Sequence, residues 1–176
     1  MPSRLRITPL RPQHLDELAA ALRHPAVYEH IGGSVPSAAE FRLGLERALA
    51  GPPQGIEQRW FNYLVRHADS RTVLGRLEAT VVGRVAEVAF LFAPAVWGNG
   101  YASEGLAWLH DELRREAGDV DFWATTLPAN RRCQALLRRA GYAEVPPAVA
   151  PVLQSYDAGD LVFHRAGRPP APGAAT

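Results

Sequence analysis

The chain of 176 residues contains no lysine; all 19 of its basic residues are arginine. It therefore lacks the lysine that a phosphate-binding P-loop requires, and it has no lysine of its own to modify. A single cysteine, Cys133, excludes an intramolecular disulfide and any metal site of the cysteine-pair type, and it fits a reducing compartment. The six histidines never show the close pairing of a zinc helix, so no metal is expected. No apolar run reaches membrane-spanning length and the N-terminus does not read as a signal peptide, so a cytoplasmic protein with no membrane partner is expected. The formal net charge of +1 gives no support for a nucleic-acid partner. No internal repeat is visible.

What is present suits one domain. Residues 1–165 carry the apolar patterning, and residues 166–176, rich in Pro, Ala and Gly, read as a disordered tail. Leu5 to Thr8 reads as a strand. Leu15, Leu18, Ala19 and Leu22 recur at the helical period, and His24-Pro25 ends that helix. Ser37 and Glu40 form a capping box for a second helix with Phe41, Leu45 and Ala48 inward, stopped by Gly51-Pro52-Pro53. Trp60 to Arg66 and Thr72 to Val82 read as strands; Trp60, Phe61 and Tyr63 are expected in the core rather than against a substrate.

Gly83-Arg84 reads as a two-residue hairpin turn with glycine first. It sets Val82 opposite Val85, Thr80 opposite Glu87 and Glu78 opposite Ala89. Leu77, Ala79, Val81, Val88, Phe90 and Phe92 then share an apolar face, and Arg76, Glu78, Thr80 and Glu87 share the other. Downstream, Ala102, Leu106, Leu109 and Leu113 mark a helix that Gly118 stops. Phe122 to Thr125 is a strand, Asn130 caps a helix running to Ala140, and Leu161 to His164 closes the chain after a turn at Asp157-Ala158-Gly159. The sum is a mixed α/β sheet.

Ala86 to Gly105 carries the chemistry. An apolar strand meets Pro94, then Gly98 and Gly100, then a helix that opens with the small residues Ala102 and Ser103. That order gathers backbone N–H groups at the positive end of a helix, where a phosphate-bearing ligand binds. Ser103 stands where a dinucleotide fingerprint has its third glycine, and the strand comes from a hairpin, so a Rossmann unit is not indicated.

Trp97-Gly98-Asn99-Gly100-Tyr101-Ala102 resembles the acetyl-CoA loop of the GNAT N-acetyltransferase superfamily, with Trp97 in place of Arg or Gln. The stretch is similar to the branch that includes ribosomal-protein N-terminal acetyltransferases. Asn130, Cys133, Leu137 and Gly141-Tyr142 match that branch's downstream motif, Asp160 to Phe163 its closing strand, and Arg6, Arg11 and Gln13-His14-Leu15 its opening. The resemblance covers residues 4 to 165. It implies a single GNAT-like domain, a mostly antiparallel mixed sheet flanked by helices, with two central strands splayed apart.

It also implies direct attack of a primary amine on acetyl-CoA. Backbone groups of Phe90, Leu91 and Phe92 would pair with the pantetheine arm. Trp97, Gly98, Asn99, Gly100, Tyr101, Ala102 and Ser103 would hold the diphosphate, and Asn130 and Cys133 would line the sulfur end. Glu87, on the polar face beside Glu78, is the first candidate for a general base and Glu78 the second. The family's tyrosine acid is Leu137 here; Cys133, at a position that the family usually fills with Ser, is a candidate proton donor, and direct release of the thiolate is the alternative. His24, Tyr28, Glu29 and His30, with the turn at Tyr156, are the candidate acceptor contacts. Arg131, Arg132, Arg138 and Arg139 form a basic face whose secondary reading is contact with the adenosine phosphate. The expected acceptor is a protein N-terminal α-amine, with an aminoglycoside, polyamine or other small amine next. A non-catalytic acyl-CoA sensor is the alternative from another class. The resemblance is also compatible with a homodimer.

Overall fold

Gly83, with φ of 56°, starts a two-residue turn in which Arg84 keeps a negative φ, the arrangement that only glycine in first place allows without strain. The turn joins β3 (Val73–Val82) to β4 (Val85–Phe92) with Val82 opposite Val85, Thr80 opposite Glu87 and Glu78 opposite Ala89. The register read from the sequence is therefore the one observed. The structure, a computed structural model, describes residues 3–167; of the expected tail, positions 168–176 lie outside the described residues.

Around this hairpin lie β1 (Leu5–Pro9), β2 (Arg59–His67), β5 (Asp121–Thr126), β6 (Ala143–Val145) and β7 (Leu161–Arg165). Seven strands run in the order β1-β2-β3-β4-β5-β7-β6, antiparallel throughout except for β4 and β5. That parallel pair is brief. Val85, Ala86 and Glu87 pair with Asp121, Phe122 and Trp123, and the ladder ends there although both strands continue. The sheet forks at Glu87.

Among the described residues five α-helices cover the sheet: α1 (Leu15–Leu22), α2 (Pro25–Tyr28), α3 (Ala38–Ala50), α4 (Tyr101–Ala117) and α5 (Arg131–Arg139). One face is closed by α4 and α5, whose Leu106, Leu109, Leu113 and Leu137 are fully buried against Leu77, Ala79, Val88 and Phe92. Each such leucine contributes about 1.5–3 kcal/mol through burial. On the opposite face α1 and α3 bury Leu15, Leu18, Leu22, Phe41 and Leu45 around Leu64. There the alternating polar positions of β2, β3 and β4 remain for a site.

The capping box forms as its spacing requires. Ser37 Oγ accepts from the Glu40 N–H at 3.2 Å, and Glu40 Oε2 accepts from the Ser37 N–H at 2.8 Å. Pro25 does more than end the first helix: it opens α2, a single turn that the sequence pattern did not show because four residues carry no periodicity. No helix among the described residues is long and apolar enough to cross a membrane.

A buried polar cluster lies in the main core. His110 of α4 is 1% exposed, with Nε2 2.7 Å from Tyr142 Oη and Nδ1 2.5 Å from Arg165 Nη1. A guanidinium only donates, so Nδ1 accepts and Nε2 carries the proton toward Tyr142. Burial, reinforced by Arg165 and Arg114, lowers the His110 pKa to about 3. An unfolded histidine titrates near ~6.5. As pH falls through that value, the unfolded chain takes up a proton that the folded one refuses. Stability attributable to His110 is thus intact above pH ~6.5 and declines by about 1.4 kcal/mol per pH unit toward pH 3. His110→Gln keeps an acceptor for Arg165 and a donor for Tyr142 but does not titrate. Urea midpoints measured from pH 7 to 4 should fall less steeply in this variant, by about one proton's worth of slope. Equal slopes would rule the assignment out.

Candidate active site

The loop between β4 and α4 is built from close backbone turns. Gly98 and Gly100 both hold φ near 81°, the left-handed region where a side chain would be strained. Gly100 is the N-cap of α4 and no side chain caps the helix. The first helical bond is Glu104 N–H to the Gly100 carbonyl. From Gly98 to Ser103 no backbone N–H meets an acceptor among the described residues. A Cβ placed on Gly98 would meet nothing within 4 Å, so the approach from solvent is open. Six free donors at the positive end of a 17-residue helix fit a diphosphate.

Side chains set the loop's shape from outside. The Trp97 indole donates to the Phe92 carbonyl at 2.8 Å, tying the loop to the strand end. Asn99 Nδ2 donates to the carbonyls of Val96 and Trp97. Arg4, absent from the sequence reading, donates from Nη1 to the Asn99 carbonyl at 3.1 Å and lies over the Tyr101 ring at 4.7 Å. In a trans peptide the C=O and the next N–H point in opposite directions. Arg4 therefore turns the Gly100 N–H to the side away from itself. It also holds both oxygens of Glu104, keeping that carboxylate off the helix start. Arg132 of α5 stacks 3.5 Å over the Trp97 ring, which brings one member of the basic face to the edge of the loop.

The fork supplies the second component. Ala93 N–H donates to the Leu74 carbonyl, so odd-numbered residues of β4 bond to β3. Val88, Phe90 and Phe92 direct their backbone groups toward the missing part of β5. Leu91 is corrected: its carbonyl lies against Gly75 of β3, and its backbone does not face the gap. The backbone groups of Phe90 face the gap, while the Phe92 carbonyl is already taken by Trp97.

Asn130 and Cys133 follow the end of β5. Asn130 Oδ1 accepts from the Cys133 N–H at 3.1 Å and caps α5, so this oxygen has a structural partner. Burial pushes the Cys133 thiol up, against a Thr126 hydrogen bond and the Arg132 charge that pull it down. The thiol holds its proton at neutral pH, as a proton donor must.

A cavity of about 280 Å³ opens on the polar face of the sheet. Its polar lining comes from Asn62, Glu78, Thr80, Glu87, Gln154 and Ser155, with Trp60 beside them. Both carboxylates expected as bases are there, and both are engaged. Glu78 pairs with Arg76, whose burial lowers its guanidinium to about 10 and leaves it charged at neutral pH. Glu87 accepts from the Gln154 N–H at 2.6 Å, the Ser155 N–H at 2.8 Å and the Ser155 hydroxyl.

The expected acceptor contacts are placed elsewhere. His24 caps α2, with Nδ1 accepting from the Ala26 N–H at 3.1 Å. Tyr28 is half-buried near Arg76; burial raises its hydroxyl while Arg76 and Arg23 act against that. Glu29 is exposed, His30 is half-buried and Tyr156 is 38% exposed, and none of these five lines the cavity. Trp60 is corrected in the other direction: strand alternation puts it on the cavity face, while Tyr63 enters the core as expected. Strict period-2 counting from Leu64 would have found Trp60 and Asn62. Gln154 and Ser155 carry no local signal.

A mixed α/β sheet split between β4 and β5, with a loop of unpartnered N–H groups between β4 and α4, defines the class of domain. A family profile described as the acetyltransferase (GNAT) domain matches residues 4–143, and the chain belongs to that family. No curated protein matches the chain in sequence. Among solved structures it is similar in fold to RimL, a ribosomal α-N-protein acetyltransferase, in complex with coenzyme A (18% identity, TM-score 0.74, 93% of this chain and 94% of that one). It is likewise similar to a Salmonella typhimurium acetyltransferase that modifies the N-terminal serine of a ribosomal protein (16%, TM-score 0.72, 93% and 95%). A Vibrio cholerae spermidine N-acetyltransferase with CoA and spermine is also similar (15%, TM-score 0.71, 93% and 96%).

Proposed function

We propose that the protein transfers an acetyl group from acetyl-CoA to a primary amine, and that the amine is the α-amine of a polypeptide. The row of unpartnered N–H groups from Gly98 to Ser103, at the mouth of the β4/β5 fork, carries the first half of this reading. It holds the diphosphate while the free edge of β4 aligns the arm; that two similarly folded acetyltransferases are solved with CoA bound supports a CoA-type donor. The neutral amine nitrogen bonds to the thioester carbonyl carbon, the C–S bond breaks, the sulfur takes up one proton, and the acylated nitrogen releases one, so the proton count is unchanged over the cycle. In this reading Cys133, whose thiol is protonated at neutral pH, gives the sulfur its proton and regains one from the acylated nitrogen.

The state of the cavity's carboxylates supports the second half. An amine must be neutral to attack. At neutral pH this costs under ~1.5 kcal/mol for an α-amine near pKa ~8, against roughly 4–5 kcal/mol for a lysine-like amine near ~10.4. Glu87 is held by three donors and Glu78 by Arg76, so either carboxylate would have to give up a contact to serve as a base. That favours the acceptor that needs least deprotonation.

The test is a mass-spectrometric panel: peptides with free N-termini, the same peptides blocked at the α-amine but bearing an internal lysine, and spermidine. Acetylation of the free N-termini alone is expected. Acetylation of spermidine alone would overturn the acceptor assignment. Tight CoA binding without transfer to any amine would replace the enzyme with a sensor.

A further inference from the structure

We propose that Glu87 is a positioning residue: with Ser155 and Thr125 it forms a strap that ties the segment between β6 and β7 across the fork and sets the acceptor-side wall. Glu87 is the last residue of β4 that pairs with β5, opposite Trp123. Two residues on, past the split, Thr125 of β5 stands on the same face. Ser155 joins the two. Its N–H and hydroxyl donate to Glu87 Oε1, and its Oγ lies 2.8 Å from Thr125 Oγ1, which also donates to the Ser155 carbonyl at 3.3 Å. Gln154 adds its N–H to Glu87 Oε2.

The segment needs such an anchor. Leu153 is its buried apolar contact, packed with Trp123 and Val162, while Val152 is 89% exposed and residues 154–159 are exposed. A carboxylate 8% exposed, holding three donors, fixes the point where Gln154 and Ser155 border the cavity. The same contacts argue against proton transfer by Glu87. A carboxylate has about four lone-pair sites, and three are occupied by the strap. The chain thus uses the carboxylate at the fork to build the wall against which the amine lies.

The kinetic part of the test rests on the acetyl-transfer reading; the exchange part does not. Glu87→Gln puts an amide NH2 where an acceptor is needed and should expose the Gln154 and Ser155 amides to rapid hydrogen exchange. It should raise KM for the peptide acceptor by about tenfold or more, the effect of losing charge-assisted hydrogen bonds. KM for acetyl-CoA should change less than twofold, and the loss in kcat/KM should be the same from pH 6 to 9. Thr125→Val, which leaves the carboxylate in place, should move acceptor KM and exchange in the same direction by a smaller factor, and it serves where Glu87→Gln fails to fold. A Glu87→Gln defect that disappears at alkaline pH, or unchanged exchange in both variants, overturns the proposal. If the parent protein acetylates no amine, the transferase reading fails while the exchange comparison still decides the strap.

Discussion

Gly75→Ala is expected to be among the most damaging single-methyl additions in this protein. A Cβ at Gly75 would overlap the Leu91 carbonyl oxygen and come within 2.9 Å of Phe92 Cα. Both are backbone atoms of β4, so no rotamer change relieves the overlap; the strands must part. Gly75 also sits where β3 bulges, since Val65 pairs with Gly75 but Arg66 with Val73. Glycine there marks a close backbone approach rather than a turn. Overpacking against main chain should cost about 3 kcal/mol, a fall of about 6–12 °C in Tm for a domain this size. Because Phe90 and Phe92 present the other edge of β4 to the fork, CoA affinity should fall with stability.

Gly105→Ala is the control. Its Cβ would meet Phe92 Cζ at 3.2 Å, a ring edge that can yield. The gain in helix propensity, about 1 kcal/mol, offsets the crowding. Thermal melts should show Gly75→Ala far below Gly105→Ala; similar melting temperatures would mean that β3 and β4 do not approach as described.

The contrast between these glycines shows where sequence reading succeeds. Gly83, Gly98, Gly100 and Gly118 act within a few residues of themselves, through positive φ at a turn or helix end, and each is legible from its neighbours. The Ser37–Glu40 box and the β3–β4 register are local in the same sense. Gly75 and Gly105 serve contacts with β4 that no local pattern announces. The site divides along the same line. The loop from Trp97 to Ser103 is contiguous and its glycine turns are legible locally, whereas Arg4 reaches Glu104 across 100 positions and Glu87 reaches Ser155 across 68. A carboxylate on a polar sheet face reads as a base when its donors lie on a distant irregular segment. His24 reads as a ligand for the complementary reason: its cap partner, Ala26, lies in a helix too short to show a period. The family resemblance supplied the fork, which hydrophobic patterning alone does not encode.

Ser103→Glu should separate folding from binding more cleanly than a bulky residue at Gly100, where φ of 81° would strain any side chain. Ser103 is the third residue of α4, counting from the Gly100 cap. Glutamate at that position favours a helix through the dipole, by about 0.3–1 kcal/mol, so stability should hold or rise. In a capping box the same glutamate reaches back to the N-cap N–H. Here that donor is Gly100 N–H, which Arg4 turns toward the cradle. The carboxylate would occupy a donor meant for phosphate and set a negative charge beside two more. Like charges about 4 Å apart repel by about 4 kcal/mol at the effective dielectric of a protein surface. Calorimetry should show CoA affinity reduced by at least ~100-fold, with partial recovery at high salt as the repulsion is screened. Ser103→Gln, which fills similar space without the charge, should lose far less. Equal binding by the parent and the Glu variant would remove the start of α4 from the coenzyme site, and with it the main support for acetyl transfer.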